Sequence, residues 1–159
     1  MVSGMMPDVL VILGSRSDAP VGEKAVQLLR RFGVSVEMLV ASAHRTPDRV
    51  KNLVLGSKAK IFVAIAGLSA ALPGVVASIT TKPVIGVPVS GKVNIDSILS
   101  IVQMPPGIPV AAVGLDMGDN AALLALEMLA IGDERIRDEL VEYRKEMAEQ
   151  VECDSEEVH

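Results

Sequence analysis

Apolar residues fall along this chain in two alternating rhythms. Asp8 to Leu13 (DVLVIL) is a continuous aliphatic run, the pattern of a strand buried on both faces. Gly22 to Phe32 then sets Ala25, Val26, Leu28, Leu29 and Phe32 at helical spacing. The unit repeats. Val34 to Val40 reads as a second strand, and Thr46-Pro47 opens a second helix with an N-cap residue followed by proline at the first helical position. Ile61 to Ala66 and Val84 to Val87 predict two further buried strands, with a helix after Pro73-Gly74 between them. Ile95 to Gln103 has helical periodicity, Pro105-Pro106-Gly107 ends it, and Ile108 to Val113 predicts a fifth strand. Beyond that, Asn120 to Ile131 is a strongly apolar helix and Asp133 to Val151 a charged amphipathic one, separated by Gly132.

Strands alternating with helices imply a mostly parallel sheet covered on both faces. With no repeat, low-complexity segment or linker, residues 1–159 are expected to form one doubly wound α/β domain. Such folds bind ligands at the C-terminal ends of their strands, where the winding reverses. The loops after the first three strands are therefore where chemistry is expected. One stretch competes with this reading: Ile61 to Thr81 has 21 residues without a charge, long enough for a helix to cross a bilayer. Gly67, Pro73 and Gly74 interrupt it, and Ser78, Thr80 and Thr81 turn it polar, which suits a strand, a loop and a short helix instead. No membrane partner is expected.

Composition narrows the partners. Half of the residues are apolar, 22% are charged and the mean hydropathy is +0.42, which excludes a disordered chain. Phe32, Phe62 and Tyr143 are the only aromatics, so base-stacking platforms for single-stranded nucleic acid have no material here. The net charge of −5 is unevenly placed: residues 146–159 hold six of the twenty acids and no Lys or Arg, leaving 15 basic and 14 acidic groups before them. A near-neutral body with an acidic, solvated and fraying tail suits neither a duplex nor an anionic membrane surface. Cys153 is the single cysteine, so no intrachain disulfide forms, and a cytoplasmic location is expected. No basic stretch precedes Arg16 and Val9 to Leu13 is too short for a signal-peptide core, so no export signal is expected.

Three loops hold the candidate chemistry. After the first strand, Gly14-Ser15-Arg16-Ser17-Asp18 precedes Pro20 in a helix's first turn, bringing backbone N–H groups and two hydroxyls to a positive helix end. That is a phosphate cradle, although Ser17 or Asp18 as a plain N-cap explains the same residues. It is neither G-x-G-x-x-G nor a Walker loop. Gly86 to Lys92 (GVPVSGK) does satisfy G-x-x-x-x-G-K, but Val93 stands where the magnesium-binding Ser or Thr belongs, so ATP is not expected there. After the second strand comes Ala41-Ser42-Ala43-His44-Arg45-Thr46-Pro47. His44 is the only histidine besides the terminal His159, and imidazole, titrating near ~6.5, is the side chain best suited to moving protons at neutral pH. Arg45 beside it offers a fork of N–H donors to a phosphate, against the plainer reading of an exposed loop pair. After the third strand, Ala66 to Gly74 offers small residues and no acid or base, enough to cover a ligand or simply to pack a helix on the sheet. Gln103 to Gly107 is a rigid loop that either walls a pocket or turns the chain. Two histidines and one remote cysteine exclude a His/Cys zinc site. The residues thus point to proton transfer on a monophosphorylated small molecule.

At these positions the chain resembles the N5-carboxyaminoimidazole ribonucleotide mutase family of purine biosynthesis, also called the phosphoribosylaminoimidazole carboxylase catalytic subunit. The resemblance rests on Gly14-Ser15-Arg16-Ser17-Asp18, Ser42-Ala43-His44-Arg45-Thr46-Pro47, Leu72-Pro73-Gly74, Pro83 to Val89, Ser100 to Pro105, and Asn120-Ala121-Ala122, in order across residues 9 to 131. It implies a three-layer flavodoxin-like fold with a C-terminal helix, assembled as a homo-octamer, and no metal or organic cofactor. It further implies that His44 is the acid and base. Ser15, Asp18 and Arg45 would bind the ribonucleotide, with Ser17, Ser42, Gly67 and Leu72 as further contacts. In the family scheme the nitrogen-linked carboxylate leaves as CO2 and is recaptured at C4 of the imidazole, one histidine serving both halves.

One departure stands out. Many members carry Gly-Gly-Ala-Ala-His before Leu-Pro-Gly, where this chain has Gly67-Leu68-Ser69-Ala70-Ala71. With Ala71 in the place of that histidine, His44 is the sole proton shuttle, and two donors stay open: the N5-carboxylated nucleotide, or CO2 taken directly onto aminoimidazole ribonucleotide. A non-catalytic nucleotide-binding module on the same fold is the third reading, disfavoured because such a module needs no proton shuttle.

Overall fold

The computed structural model describes residues 7–158. It comprises two units, one running to Ala125 and the other starting at Leu126. In the first, five parallel strands lie in the order β2-β1-β3-β4-β5: β1 (Val9–Leu13), β2 (Val36–Val40), β3 (Ile61–Ala66), β4 (Val84–Pro88) and β5 (Ala111–Ala112). This is the flavodoxin-like order. The chain winds outward from β1 to β2, then returns across β1 to β3, and the reversal opens a crevice above the C-terminal ends of these three strands.

Burial on both faces explains why β1, β3 and β4 read as unbroken apolar runs, since every residue of each is buried. Alternate side chains serve opposite layers. Leu10, Ile12, Phe62 and Ala64 join a core with Val50 and Val54 of α2 (Pro47–Gly56), Leu72 and Val76 of α3 (Leu72–Ile79) and Ile101 of α4 (Asn94–Val102). On the other face, Leu13, Met38 and Ile65 close on Gly22 of α1 (Ala19–Arg31). These helix layers enclose the sheet, giving the three layers expected. At the start of α5 (Gly118–Ala130), Gly118 lies so close to Val21 O of α1 that a Cβ there would overlap it.

The N-terminal edge of the sheet carries a polar latch. Asp8 N donates to Ser35 Oγ, Ser35 Oγ donates to Asp8 Oδ2, and Lys60 Nζ pairs with Asp8 Oδ1 at 2.9 Å. Burial pushes the Asp8 carboxyl upward, but the Ser35 and Lys60 hydrogen bonds and the Lys60 charge outweigh it and hold the carboxyl below its usual range.

Several boundaries differ from expectation for local reasons. α1 starts at Ala19 rather than Gly22, because Pro20 occupies its first turn, where a missing N–H costs nothing. α3 begins before Pro73-Gly74 and takes both into its first turn. The expected fifth strand, Ile108 to Val113, shrinks to Ala111–Ala112. Pro109 has no N–H for a ladder, and Ile108 N turns back to Pro105 O. The 61–81 stretch resolves into β3, a loop and α3, and among the described residues no helix is long and apolar enough to cross a membrane.

In the second unit, α6 (Glu134–Glu157) is one helix of 24 residues, capped by Asp133 Oδ1, which accepts from Ile136 N. The expected fraying tail is helical instead. It holds no Gly or Pro, and Gln150 Nε2 bonds Asp154 Oδ1 one turn on.

Candidate active site

The loop after β1 turns sharply as a 3-10 turn, Arg16–Asp18, before α1. Ser15 caps this turn: its Oγ accepts from Ser17 N, and Asp18 Oδ2 accepts from Ser15 N at 2.9 Å, while Asp18, one of the two expected caps, holds the N-cap position of α1 without a side-chain bond to that helix. This reciprocal pair fixes the turn and frees neither partner to drift. Ser17 Oγ donates to Ser15 Oγ at 3.0 Å and also approaches Asp18 Oδ1. Asp18 itself is buried. Desolvation raises its carboxyl above the usual range, against the Ser15 N–H, the Ser17 hydroxyl and the Arg45 charge, which pull it down. A carboxylate so placed is a strong acceptor for the hydroxyls of a ligand.

The loop after β2 is closed on itself. Thr46 precedes α2 at the N-cap position, but its hydroxyl serves the loop and not the helix: Thr46 Oγ1 accepts from Ser42 N at 2.9 Å and donates to Ser42 O. Ser42 Oγ takes Arg45 N at 3.2 Å and Arg45 Nε at 3.3 Å. Arg45 Nη2 then donates to Gly14 O at 3.0 Å, tying the second loop to the first. That leaves guanidinium donors for an anion. His44 is exposed, on the same loop.

The loop after β3 supplies the third wall. Ala66, Gly67, Leu68, Ser69, Ala71 and Leu72 all line one pocket of about 390 Å³. Gly14, Ser15, Ser17 and Asp18 line it from the first loop, and Ser42, Ala43, His44 and Arg45 from the second. Ser69 adopts φ of +49° and its N–H donates to Asp96 Oδ2 at 2.9 Å. Hence all eight residues singled out from the sequence, Ser15, Ser17, Asp18, Ser42, His44, Arg45, Gly67 and Leu72, meet in one place. His159 lies outside the described residues.

Ala66 and Leu68 lie in the stretch expected to cover a ligand; what the sequence did not single out are Ala43 as an apolar wall and the link from Ser69 to Asp96. Small apolar residues carry no chemical signal of their own, and the link spans 27 positions. The Gln103 to Gly107 loop does not line the pocket; Met104 instead sets its sulfur against Gly74 of α3, bracing that helix. The G-x-x-x-x-G-K look-alike has spent its amides: Ser90 N donates to Asp116 Oδ1 and Gly91 N to Asn94 Oδ1, both at 2.8 Å. Among the described residues no cluster of three or more His, Cys, Asp or Glu is placed to hold a metal ion. A pocket of equal volume in the second unit is lined by Ala130, Ile131, Leu140 and Val141 with Arg137 and Arg144, which are ion-paired to Glu134 and Glu127, and its lining includes no histidine. Volume does not distinguish the two; chemistry does.

The arrangement unites an anion grip, a hydroxyl acceptor, an imidazole and a small apolar wall. Sequence and structure comparisons agree on its kin. The sequence profile of the AIR carboxylase family matches residues 8–150. The N5-carboxyaminoimidazole ribonucleotide mutase of Methanocaldococcus jannaschii is 58% identical over 151 residues, covering 94% of this chain and 96% of that protein. The enzyme of the same name from Pyrococcus abyssi is 50% identical over 152 residues, covering 92% of this chain and 87% of its own. The crystal structure of Treponema denticola PurE superposes with a TM-score of 0.85 at 30% identity, covering 94% of this chain and 96% of that one.

Proposed function

This chain belongs to the AIR carboxylase family, and on that premise we propose that it acts in purine biosynthesis, converting N5-carboxyaminoimidazole ribonucleotide to 4-carboxy-5-aminoimidazole ribonucleotide without ATP. One observation supports the pocket as the place: the exposed His44 lines it together with the Ser15–Asp18 turn and the apolar third loop. Arg45, Ser15, Ser17 and Ser42 bind the phosphate, and Asp18 accepts from the sugar hydroxyls. Gly67 and Leu72 cover the base.

His44, entering protonated, donates to the substrate nitrogen as the N–C bond of the carbamate breaks and CO2 is released. The electron-rich C4 of aminoimidazole ribonucleotide then attacks the CO2 carbon, and His44 removes the C4 proton to restore the aromatic ring. The proton lent is returned, so the reaction is a net isomerisation and one histidine suffices even with Ala71 in the place of a second. Gly67, Ala71 and Leu72 offer CO2 neither charge nor strong hydrogen-bonding side chains, so confinement and not affinity keeps it near C4. The working protein is a cytoplasmic homo-octamer.

The experiment offers purified protein, in parallel, the N5-carboxylated nucleotide and aminoimidazole ribonucleotide with low bicarbonate, reading the C4-carboxylated product by ultraviolet absorbance. The expected result is turnover of the first without ATP or metal, reduced ~10²-fold or more in His44→Asn with ligand binding retained. Turnover of the second pair alone makes the protein a direct carboxylase, and full activity of His44→Asn removes the histidine from the mechanism.

A further inference from the structure

Asp96 does not line the pocket, yet its carboxylate holds the pocket's third wall. It sits half-buried in the first turn of α4, where the helix dipole favours a negative charge. Its Oδ2 accepts from Ser69 N at 2.9 Å. Ser69 has φ of +49°, a left-handed conformation that a residue with a side chain seldom keeps without an external restraint. At the base of the loop, Val89 N bonds Ala66 O. Among the described residues, the Asp96 contact is the hydrogen bond that joins the loop's tip to another element. On one side of Ser69, Ala70 is buried in the core; on the other, Leu68 is 79% exposed, so packing seats only the C-terminal side of the tip and the Asp96 bond restrains the side that faces solvent.

The anchor is itself fixed. Asn94 Oδ1 accepts from Gly91 N, and the buried Ser97 donates its hydroxyl to Asn94 O, so the start of α4 is tied before and after Asp96. Ile101, further along α4, is fully buried in the core. A rigid helix thus presents one carboxylate to a loop of small residues.

We propose that Asp96 is a positioning residue for the carboxyl transfer: by holding Ser69 N it keeps the third loop closed while CO2 is free, so that CO2 is recaptured at C4 and not lost. This rests on the mutase reading above. In the interval between the two steps the N–C bond is broken, the nitrogen has its proton from His44, and neutral CO2 is confined by the pocket walls, Gly67, Ala71 and Leu72 of the third loop among them. If the loop opens then, aminoimidazole ribonucleotide and CO2 leave as separate products. The quantity that reports on Asp96 is therefore the ratio of aminoimidazole ribonucleotide released to C4-carboxylated product formed.

The test feeds N5-carboxyaminoimidazole ribonucleotide to the full chain, subtracts the decarboxylation seen without enzyme, and measures both products. Asp96→Ala is expected to raise the released-to-rearranged ratio ~10-fold, the order of effect that slight misplacement of a wall has on a confined reaction. KM should change less than about threefold, because the phosphate and sugar contacts are untouched. Asp96→Asn, which keeps an acceptor for Ser69 N, should return the ratio most of the way to that of the unaltered protein. Should Asp96→Ala fail to fold by circular dichroism, Asp96→Leu fills much the same space with no acceptor atom and carries the same expectation. An unchanged ratio in a folded variant, or a loss confined to KM, overturns the role for Asp96. If the unaltered protein makes no C4-carboxylated product from this nucleotide, the mutase reading itself fails and takes the proposal with it.

Discussion

Asp18 is buried and ionisable together, which sets stability against function at one residue. An acid whose carboxyl titrates higher in the folded than in the unfolded chain stabilises the fold while protonated. That contribution is complete below the unfolded value and is lost as pH rises through the folded one. Burial raises Asp18 in this way, so near neutrality its charge costs the fold stability. Asp18→Asn cannot ionise and can still take Ser15 N on its amide oxygen. Its melting temperature relative to the unaltered chain should climb as pH rises from the usual carboxylate range through the raised Asp18 value, then level off, while ribonucleotide affinity falls. Parallel melting curves at every pH would show that the charge carries no penalty. Single residues with distinct chemistry were readable in the chain: Asp18, His44 and Arg45 stand beside strand ends that the apolar runs mark. Ser69 and Asp96 were not, because their contact exists only once β3 and β4 lie side by side.

Elements were readable where burial leaves no choice and blurred where it does. β3 was predicted to its ends because all six of its residues face protein. β5 lies on the sheet edge, pairs only with β4, and lost most of its expected length to Pro109. The close approach of α5 to α1 left no mark in periodicity at all; its trace is Gly118, a small residue at a helix start. A Cβ there would overlap Val21 O and lie 3.0 Å from its carbonyl carbon, backbone atoms that cannot swing aside. Gly118→Ala should therefore destabilise the protein by ~1–3 kcal/mol in urea denaturation, the usual cost of forcing atoms into a filled contact. A change within ~0.5 kcal/mol would mean that α5 begins on a looser footing than this.

Over the whole molecule, apolar side chains remain in solvent at positions with no helical or sheet partner: Ile131 is 87% exposed, Val151 68%, Ile95 64% and Leu55 62%. Contacts between copies would cover such side chains, and on the octamer proposed above light scattering at micromolar concentration is expected to return the mass of eight 16.7 kDa chains. A stable monomer would overturn the octamer. The parallel sheet has a further consequence for anyone redesigning the protein. Its strands separate two jobs along their length, with the Asp8–Ser35–Lys60 latch at one end and His44 beyond the other. Five residues at ~3.3 Å each put roughly 15 Å between them, more than the ~8–10 Å over which surface charges feel one another in physiological salt. The latch edge is thus a workshop for thermal hardening in which charges can be added, swapped or crosslinked while the proton chemistry at the far rim goes on undisturbed.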